Sequence, residues 1–383
     1  MRKIMVLGAG IYQVPLILKA KELGLYVICV SIPGDYPGFK YADKIYHLDT
    51  RDYEGILKAA EQEEISGICT TGTDVALKAV GYVNDKMKLH GISYAASTIC
   101  TDKALMKECF EKNGVSTSRF RKISSFEEAV KSAEELKYPV IIKPVDSSGS
   151  RGITKAADLS ELKLAYDKAV RYTKKDYVVI EQFIVGNEIG VDAFVVDGKI
   201  QFVAIHGKIN YFNGSTCVPV GHYFPLEASD IVVSRIEKEC QKVVSAVGMD
   251  NCSVNMDVII RDDIPYILEA SGRCGATCIP ELIGMHYGFN YYEKMVKCAV
   301  GDDVAIANLE ANPCVAKLII SEKSGIIIDQ EIISDSKDIQ ASFDYTVGDK
   351  IRKFEVGPDR IGQIVAKGTH LNCNEIVSVK IKE

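Results

Sequence analysis

Three short stretches of the chain combine residue types that could do phosphate chemistry. In Tyr138-Pro139-Val140-Ile141-Ile142-Lys143-Pro144 an apolar strand ends on a lysine, and Ser147-Ser148-Gly149-Ser150-Arg151-Gly152 follows at once. A lysine at the end of a buried strand calls for an anionic partner, and the backbone amides of a polar Ser/Gly loop beside it make a phosphate cradle. The alternative is a snorkelling lysine before an ordinary surface turn. In Val178 to Glu188, a strand passes through Glu181-Gln182-Phe183-Ile184 and reaches Glu188 after a short loop. Such a strand could offer backbone donors and acceptors to a purine edge, with Glu188 placed to accept from ribose hydroxyls. Either glutamate alone also reads as a solvated strand-end charge.

The third stretch is a hairpin, Asn255-Met256-Asp257-Val258-Ile259 with Ile267-Leu268-Glu269-Ala270-Ser271-Gly272-Arg273. Asp257 and Glu269 sit among apolar neighbours on adjacent strands, where unpaired carboxylates are costly to desolvate. A bridging cation removes that cost, and magnesium takes one or two carboxylates together with substrate phosphates. Arg273 could hold a phosphoryl oxygen as charge moves in a transition state. A structural Asp/Glu–Arg pair is the plainer reading of the same residues.

Two other features carry less. Gly8-Ala9-Gly10 follows the first strand as in a dinucleotide-binding turn, but Gln13 stands where a third glycine is wanted, and the second strand ends at Ser31 instead of an acidic residue. A turn that only packs strand on helix, or lines a substrate cleft, explains it as well as NAD binding. Cys274 and Cys278 could be a metal pair, yet no CxxC or His-x-x-x-His completes a ligand set, so they read as small buried hydrophobes.

The elements that must position these residues follow from periodicity. Strands are expected at Lys3 to Leu7, Tyr26 to Val30 and Gly67 to Thr70, with helices at Val14 to Leu23 and Tyr53 to Glu63, a Rossmann-like half. Thr101 or Asp102 caps a helix from Lys103 to Asn113, which Gly114 ends. A small α+β unit spans about 115–186. Beyond it come antiparallel strands around the Asp197-Gly198 turn, a helix at Ile231 to Val247, the carboxylate hairpin, and a β-rich tail from about Pro313 with glycine turns at Gly325, Gly348, Gly357 and Gly362. The tail reads as a separate piece.

At 383 residues two or three domains are expected. With 47% apolar and 26% charged residues the composition is ordinary and globular, and a net charge of −6 argues against nucleic-acid or anionic-membrane partners. Twelve cysteines without paired spacings read as reduced thiols. Met1 runs straight into a strand without the features of a signal peptide, and no apolar run has a membrane-spanning length. A cytoplasmic enzyme is the expectation.

In this order, Lys103, the Ile142-Lys143-Pro144 strand, the Ser/Gly loop, Glu181-Gln182-Phe183-Ile184, Glu188, Asp257 and Leu268-Glu269-Ala270-Ser271 closely resemble the ATP-grasp superfamily. The resemblance covers most of the chain and implies a mixed α/β and α+β fold. Its parts would be a pre-ATP-grasp Rossmann-like domain at 1–98, an ATP-grasp domain at 99–310 with its lid at about 115–186, and a β-rich C-terminal domain at 311–383. It also implies that Lys103 and Lys143 contact ATP phosphates under a closing loop of Ser147, Ser148, Gly149, Ser150 and Gly152. Glu181, Phe183 and Ile184 would bracket the adenine, and Glu188 the ribose. Asp257 and Glu269 would bind magnesium or manganese, and Arg273, with Lys143, would face the reacting phosphate.

Ser271 departs from the family pattern, since many members carry Glu-x-Asn as metal ligands; serine makes a looser ligand here. The activity implied is ATP-dependent activation of a small carboxylate as an acyl phosphate, with ADP and phosphate released, and its coupling to an amine. Substrate identity should be encoded in His206 to Pro225, with Lys208, Asn210, Tyr211, Asn213, His222 and Tyr223. The absence of a phosphate-binding cluster there beyond Lys208 favours an amino-acid-type substrate over a phosphoribosyl amine such as that of phosphoribosylglycinamide synthetase. Small-molecule substrates and a homodimer complete the expectations.

Overall fold

The computed structural model describes residues 1–147, 149, 151–212, 217–306 and 309–383, with the Cys217 side chain left aside. Ser148, Ser150 and Asn213, all singled out in the sequence, lie outside the described residues.

The first hundred residues form a parallel sheet ordered Lys44–His47, Tyr26–Ser31, Lys3–Leu7, Gly67–Cys69, with helices Val14–Glu22, Tyr53–Glu63, Leu77–Met87 and Tyr94–Cys100 around it. Its near-continuous apolar strands are what a sheet covered on both faces requires. The Gly8 turn is closed by Gln13, whose side chain accepts from the Gly10 N–H at 3.0 Å and donates to the Thr71 carbonyl at 2.5 Å. The space that a third glycine would leave for a pyrophosphate is filled by the chain itself.

Helix Lys103–Lys112 begins where expected, with Asp102 accepting from the backbone N–H groups of Ala104 and Leu105. The next unit is a four-stranded sheet ordered Phe120–Ile123, Val178–Gln182, Val140–Pro144, Thr154–Ala156. Helices Phe126–Leu136 and Leu159–Tyr172 cover one face, burying Val140, Ile142, Val178 and Ile180 against Ala129, Ala133, Leu162 and Ala165. Its other face carries Lys143, Val179 and Glu181, turned toward the Lys103 helix.

The remaining elements build an eight-stranded sheet, antiparallel throughout, ordered Ile264–Ser271, Cys252–Arg261, Asn187–Val196, Lys199–Phe212, Cys217–Phe224, Cys314–Ile319, Gly362–Lys367, Ile339–Phe343. The Asp197-Gly198 turn has φ of 48° and 72°, and Asp262-Asp263 has 52° and 59°. These positive pairs match the twist of antiparallel hairpins. One face of the sheet packs Val191, Ala193, Val254 and Met256 on helix Asp230–Val247; the other contributes Phe194, Ala204 and Phe224 to a second core.

The tail differs from the separate piece anticipated at Pro313. Cys314–Ile319 pairs with Cys217–Phe224 and carries two further tail strands into the central sheet, while Gly325–Ile332, Lys350–Ile351 and Val377–Lys382 make a three-stranded sheet. Gly325 and Gly362 are not turns either. Both sit in strands where a Cβ would overlap a neighbouring strand's carbonyl, so close backbone approach is what requires glycine there. No described helix is long and apolar enough to cross a membrane.

Asp102 ties these units together, because it also accepts from the Tyr177 hydroxyl at 2.6 Å, at the entry to strand Val178–Gln182. Asp102→Ala should cost about 1–2 kcal/mol in urea denaturation, and Asp102→Asn only a few tenths. Equal losses in the two variants would show that capping is not what Asp102 supplies.

Candidate active site

Cross-strand register gathers the acidic residues. Gly190, Asp257 and Glu269 lie opposite one another on three neighbouring strands, and Asp192, Asn255 and Ser271 form the next row but one. Alternation puts both rows on the same face. Asp257 and Glu269 are therefore adjacent hard-oxygen donors, with side chains 43% and 31% exposed.

Each of these carboxylates holds a lysine from another element. Lys103, the first residue of its helix, donates to Glu269 at 3.1 Å and to the Ser147 carbonyl at 3.0 Å. Lys208, on strand Lys199–Phe212, donates to Asp257 at 2.5 Å and to Glu188 at 2.8 Å. Burial works against the ammonium of Lys208, yet Asp257 and Glu188 outweigh it and raise its pKa; Lys208 likewise overcomes burial to lower that of Asp257.

The four-stranded unit supplies a second cluster. Glu181, 1% exposed, accepts from Ser118 at 2.6 Å and Lys143 at 3.1 Å, and pairs with Lys107 at 3.2 Å. Burial pushes its carboxyl up, but Lys107 and Lys143 hold it down at about 2; burial brings Lys107 itself to about 8. Lys103 and Lys107 are four apart and so share one helix face, toward Glu269 and Glu181. The other oxygen of Glu181, Oε1, is buried without a partner.

Arg273 is held from a third direction. Its Nε and NH2 donate to Asp74 at 2.8 and 2.7 Å, its NH1 reaches Asn255 Oδ1 at 3.2 Å, and the Ser271 hydroxyl donates to Asp74 at 2.6 Å. Burial opposes both charges of this pair, yet mutual attraction lowers the Asp74 pKa and raises that of Arg273. Asp74 comes from the loop after the first unit's last strand and was not visible as a site residue, because 199 positions separate it from its partner. Lys107 was hidden inside an ordinary helical pattern, and Lys208 was noted without a role. Their sole signal was a basic residue on a face otherwise expected to be apolar.

The remaining expected residues fall in varied settings. Glu188 joins Lys208. The Glu181 carboxylate is committed to two lysines, and its strand is paired on both edges with the Phe183 N–H taken by the Pro139 carbonyl, so a purine edge would have to be met from Ile184 onward. The Phe183 ring has Lys155 Nζ 4.3 Å from its centre. Ser147 turns its hydroxyl to the Tyr172 carbonyl, Gly149 is exposed at φ 67°, and Gly152 packs on Tyr172 at φ 78°. Cys274 and Cys278 are core residues whose thiols burial pushes upward.

Among the described residues no group of three or more carboxylates, histidines or thiols converges as a metal cage. Two adjacent carboxylates suit a hard cation that takes its other ligands from water and phosphate. The Ser271 hydroxyl is engaged by Asp74 instead.

Glu181 contributes stability that is complete above its ordinary value of 4.5 and lost as the pH falls toward its folded value of about 2. Glu181→Gln should cost about 3–5 kcal/mol at neutral pH in urea denaturation, since it strands two buried ammonium groups. The deficit should shrink as the pH is lowered below about 4.5; one that stays constant there would contradict the pairing.

Residues 100–277 match the ATP-grasp domain family. The formate-dependent phosphoribosylglycinamide formyltransferase of Rhodococcus jostii (strain RHA1) is 24% identical over 285 residues, covering 71% of this chain and 68% of that protein. The crystal structure of phosphoribosylglycinamide synthetase from Anaerococcus prevotii matches over 100% of both chains at 33% identity, with a TM-score of 0.84. The L-amino acid ligase of Bacillus licheniformis shares the fold, with a TM-score of 0.80 at 17% identity over 100% of this chain and 99% of that one. The chain belongs to the ATP-grasp superfamily, whose ligases use ATP with Mg2+, and is an ATP-dependent carboxylate–amine ligase.

Proposed function

We propose that this ligase activates a small carboxylate as an acyl phosphate, releasing ADP, and joins it to the amine of an amino-acid-type substrate in the cytoplasm. The observation that carries the reading is the pairing of every buried cation around Asp257 and Glu269 with a carboxylate that a magnesium–triphosphate could relieve. Lys103 and Lys143 would exchange Glu269 and Glu181 for phosphate oxygens, leaving Lys107 to neutralise Glu181. Asp257 and Glu269 would hold Mg2+, which neutralises charge on the transferring phosphoryl group. Lys208 would then be freed to face the phosphates, and Glu188 to accept from the ribose. Ile184, at the lid's edge, would pack on the adenine beside Phe183. The loop from Ser147 to Gly152 would close over the site and exclude water that could hydrolyse the acyl phosphate.

The acceptor's chemistry is argued from the neighbouring cleft, lined by Tyr12, Thr71, Thr277, Glu281, Arg360 and Gln363 among others. Its cation is already engaged: Arg360 donates from Nε and NH2 to Asp344 and from NH1 to Gln363, and its guanidinium lies 4.9 Å from the Tyr12 ring centre. A phosphate would want several cations converging on it, whereas this cleft sets one arginine beside the Glu281 carboxylate and the Tyr12 hydroxyl, which suit an ammonium or amide. A second reading, a phosphoribosyl amine as acceptor, is favoured by the 33% identity over the full length of phosphoribosylglycinamide synthetase.

A panel of Mg-ATP with paired amino acids, and with glycine plus phosphoribosylamine, separates the two. ADP and phosphate should appear with amino acids; turnover confined to phosphoribosylamine would select the second reading, and AMP with pyrophosphate would overturn both. Lys143→Ala should lower ADP release by about 100-fold or more with far-UV circular dichroism unchanged, and near-wild-type turnover would remove Lys143 from its role.

A further inference from the structure

Behind Arg273 a line of polar side chains runs into the sheet. Asn255 lies directly between Asp192 and Ser271 in the register of three strands. Its Nδ2 donates to Asp192 Oδ2 at 3.1 Å, and its Oδ1 accepts from Arg273 NH1 at 3.2 Å. Asp192 is fully buried, and the same Oδ2 is 3.0 Å from Nε2 of His206, also fully buried. Burying a carboxylate here, with its Oδ1 left without a partner, is expensive.

We propose that Asp192, acting through Asn255, is a positioning device for Arg273 in the phosphoryl-transfer step. The reasoning is directional. A primary amide between a guanidinium and a carboxylate has one favourable orientation, carbonyl to the cation and NH2 to the anion; turned over, it sets donors against donors and oxygen against oxygen. Asp192 therefore locks the amide, and the amide fixes NH1 from the side opposite Asp74. Two glycines make room for the chain: a Cβ on Gly275 would come within 2.9 Å of Asn255 Nδ2, and one on Gly190 would overlap the His206 ring. With Asp74 on Nε and NH2, Asn255 and the Cys274 carbonyl on NH1, four of the five N–H groups have partners. The guanidinium is thus fixed in plane and in rotation before a substrate arrives, which is where pre-organised charge stabilisation gains its effect.

The inference rests on Arg273 facing the reacting phosphate, as the family resemblance implies for the proposed ligase, and a residue swap separates the two. Turnover is measured as ADP release from Mg-ATP on whichever arm of the acceptor panel the wild type uses, with kcat and the KM for ATP resolved. Asn255→Asp faces Asp192 with a second carboxylate and should lower kcat by about 10- to 100-fold with little change in KM. Asn255→Ala, which adds no buried charge, should do the same. Combining Asn255→Asp with Asp192→Asn reverses the hydrogen bond between the two positions, the new amide at 192 donating to the new carboxylate at 255 and to His206 Nε2 in its acceptor tautomer, keeps an acceptor oxygen on Arg273 NH1, and should recover kcat to within about threefold of wild type. Thermal melts of the four proteins report folding separately.

An Arg273→Ala variant as active as wild type, or a wild type inactive on every arm, would overturn the role of Arg273 and this inference with it. An inactive Arg273→Ala variant beside fully active Asn255→Ala, or a double variant no better than Asn255→Asp alone, would overturn the positioning role and leave the function standing.

Discussion

A charge taken out of water must find its opposite, and the site of this protein is organised by that requirement. Glu269 holds Lys103 across a helix–strand contact, Asp257 and Glu188 share Lys208 between strands, Glu181 joins the four-stranded unit to Lys107, and Asp74 reaches from the first unit to Arg273. Every pair bridges two elements. Removing one partner of a buried pair such as Glu181–Lys107 costs about 3–5 kcal/mol, more than most single hydrophobic contacts contribute, while the more exposed carboxylates of Asp257, Glu188 and Glu269 contribute less. Under the proposed function, a magnesium–triphosphate would take over the charges that these pairs hold.

The scaffold was legible where a single period decides. Strand Lys3–Leu7 and helix Tyr53–Glu63 stand where an apolar run and the 3.6-residue repeat put them, and Asp102 caps as its residue type suggests. The tail was less legible. A strand such as Cys314–Ile319 has the same local pattern whether it starts a new sheet or extends an old one, and only its partner, Cys217–Phe224, decides. Gly325 and Gly362 misled for a related reason, since a glycine demanded by a neighbouring backbone looks like one demanded by a turn.

Within the site, the paired carboxylates were readable because Asp257 and Glu269 stand out against apolar neighbours on two halves of one hairpin. Glu181 shows where such reading runs out. Its strand was identified, but the chain does not say that Lys107 and Lys143 will close on it, so its part as counter-ion of a lysine pair went unread. Asp74, Asn255 and Asp192 act through contacts that no local spacing encodes. They are set by the order of strands in the sheet and by the packing of the first unit on it.

That a carboxylate becomes phosphorylated is the central chemical claim, and oxygen-18 tests it most directly. With both carboxylate oxygens of the productive substrate labelled, one label should leave in the inorganic phosphate and the rest stay in the amide product, as read by mass spectrometry. Phosphate without label, or label in AMP, would contradict activation through an acyl phosphate.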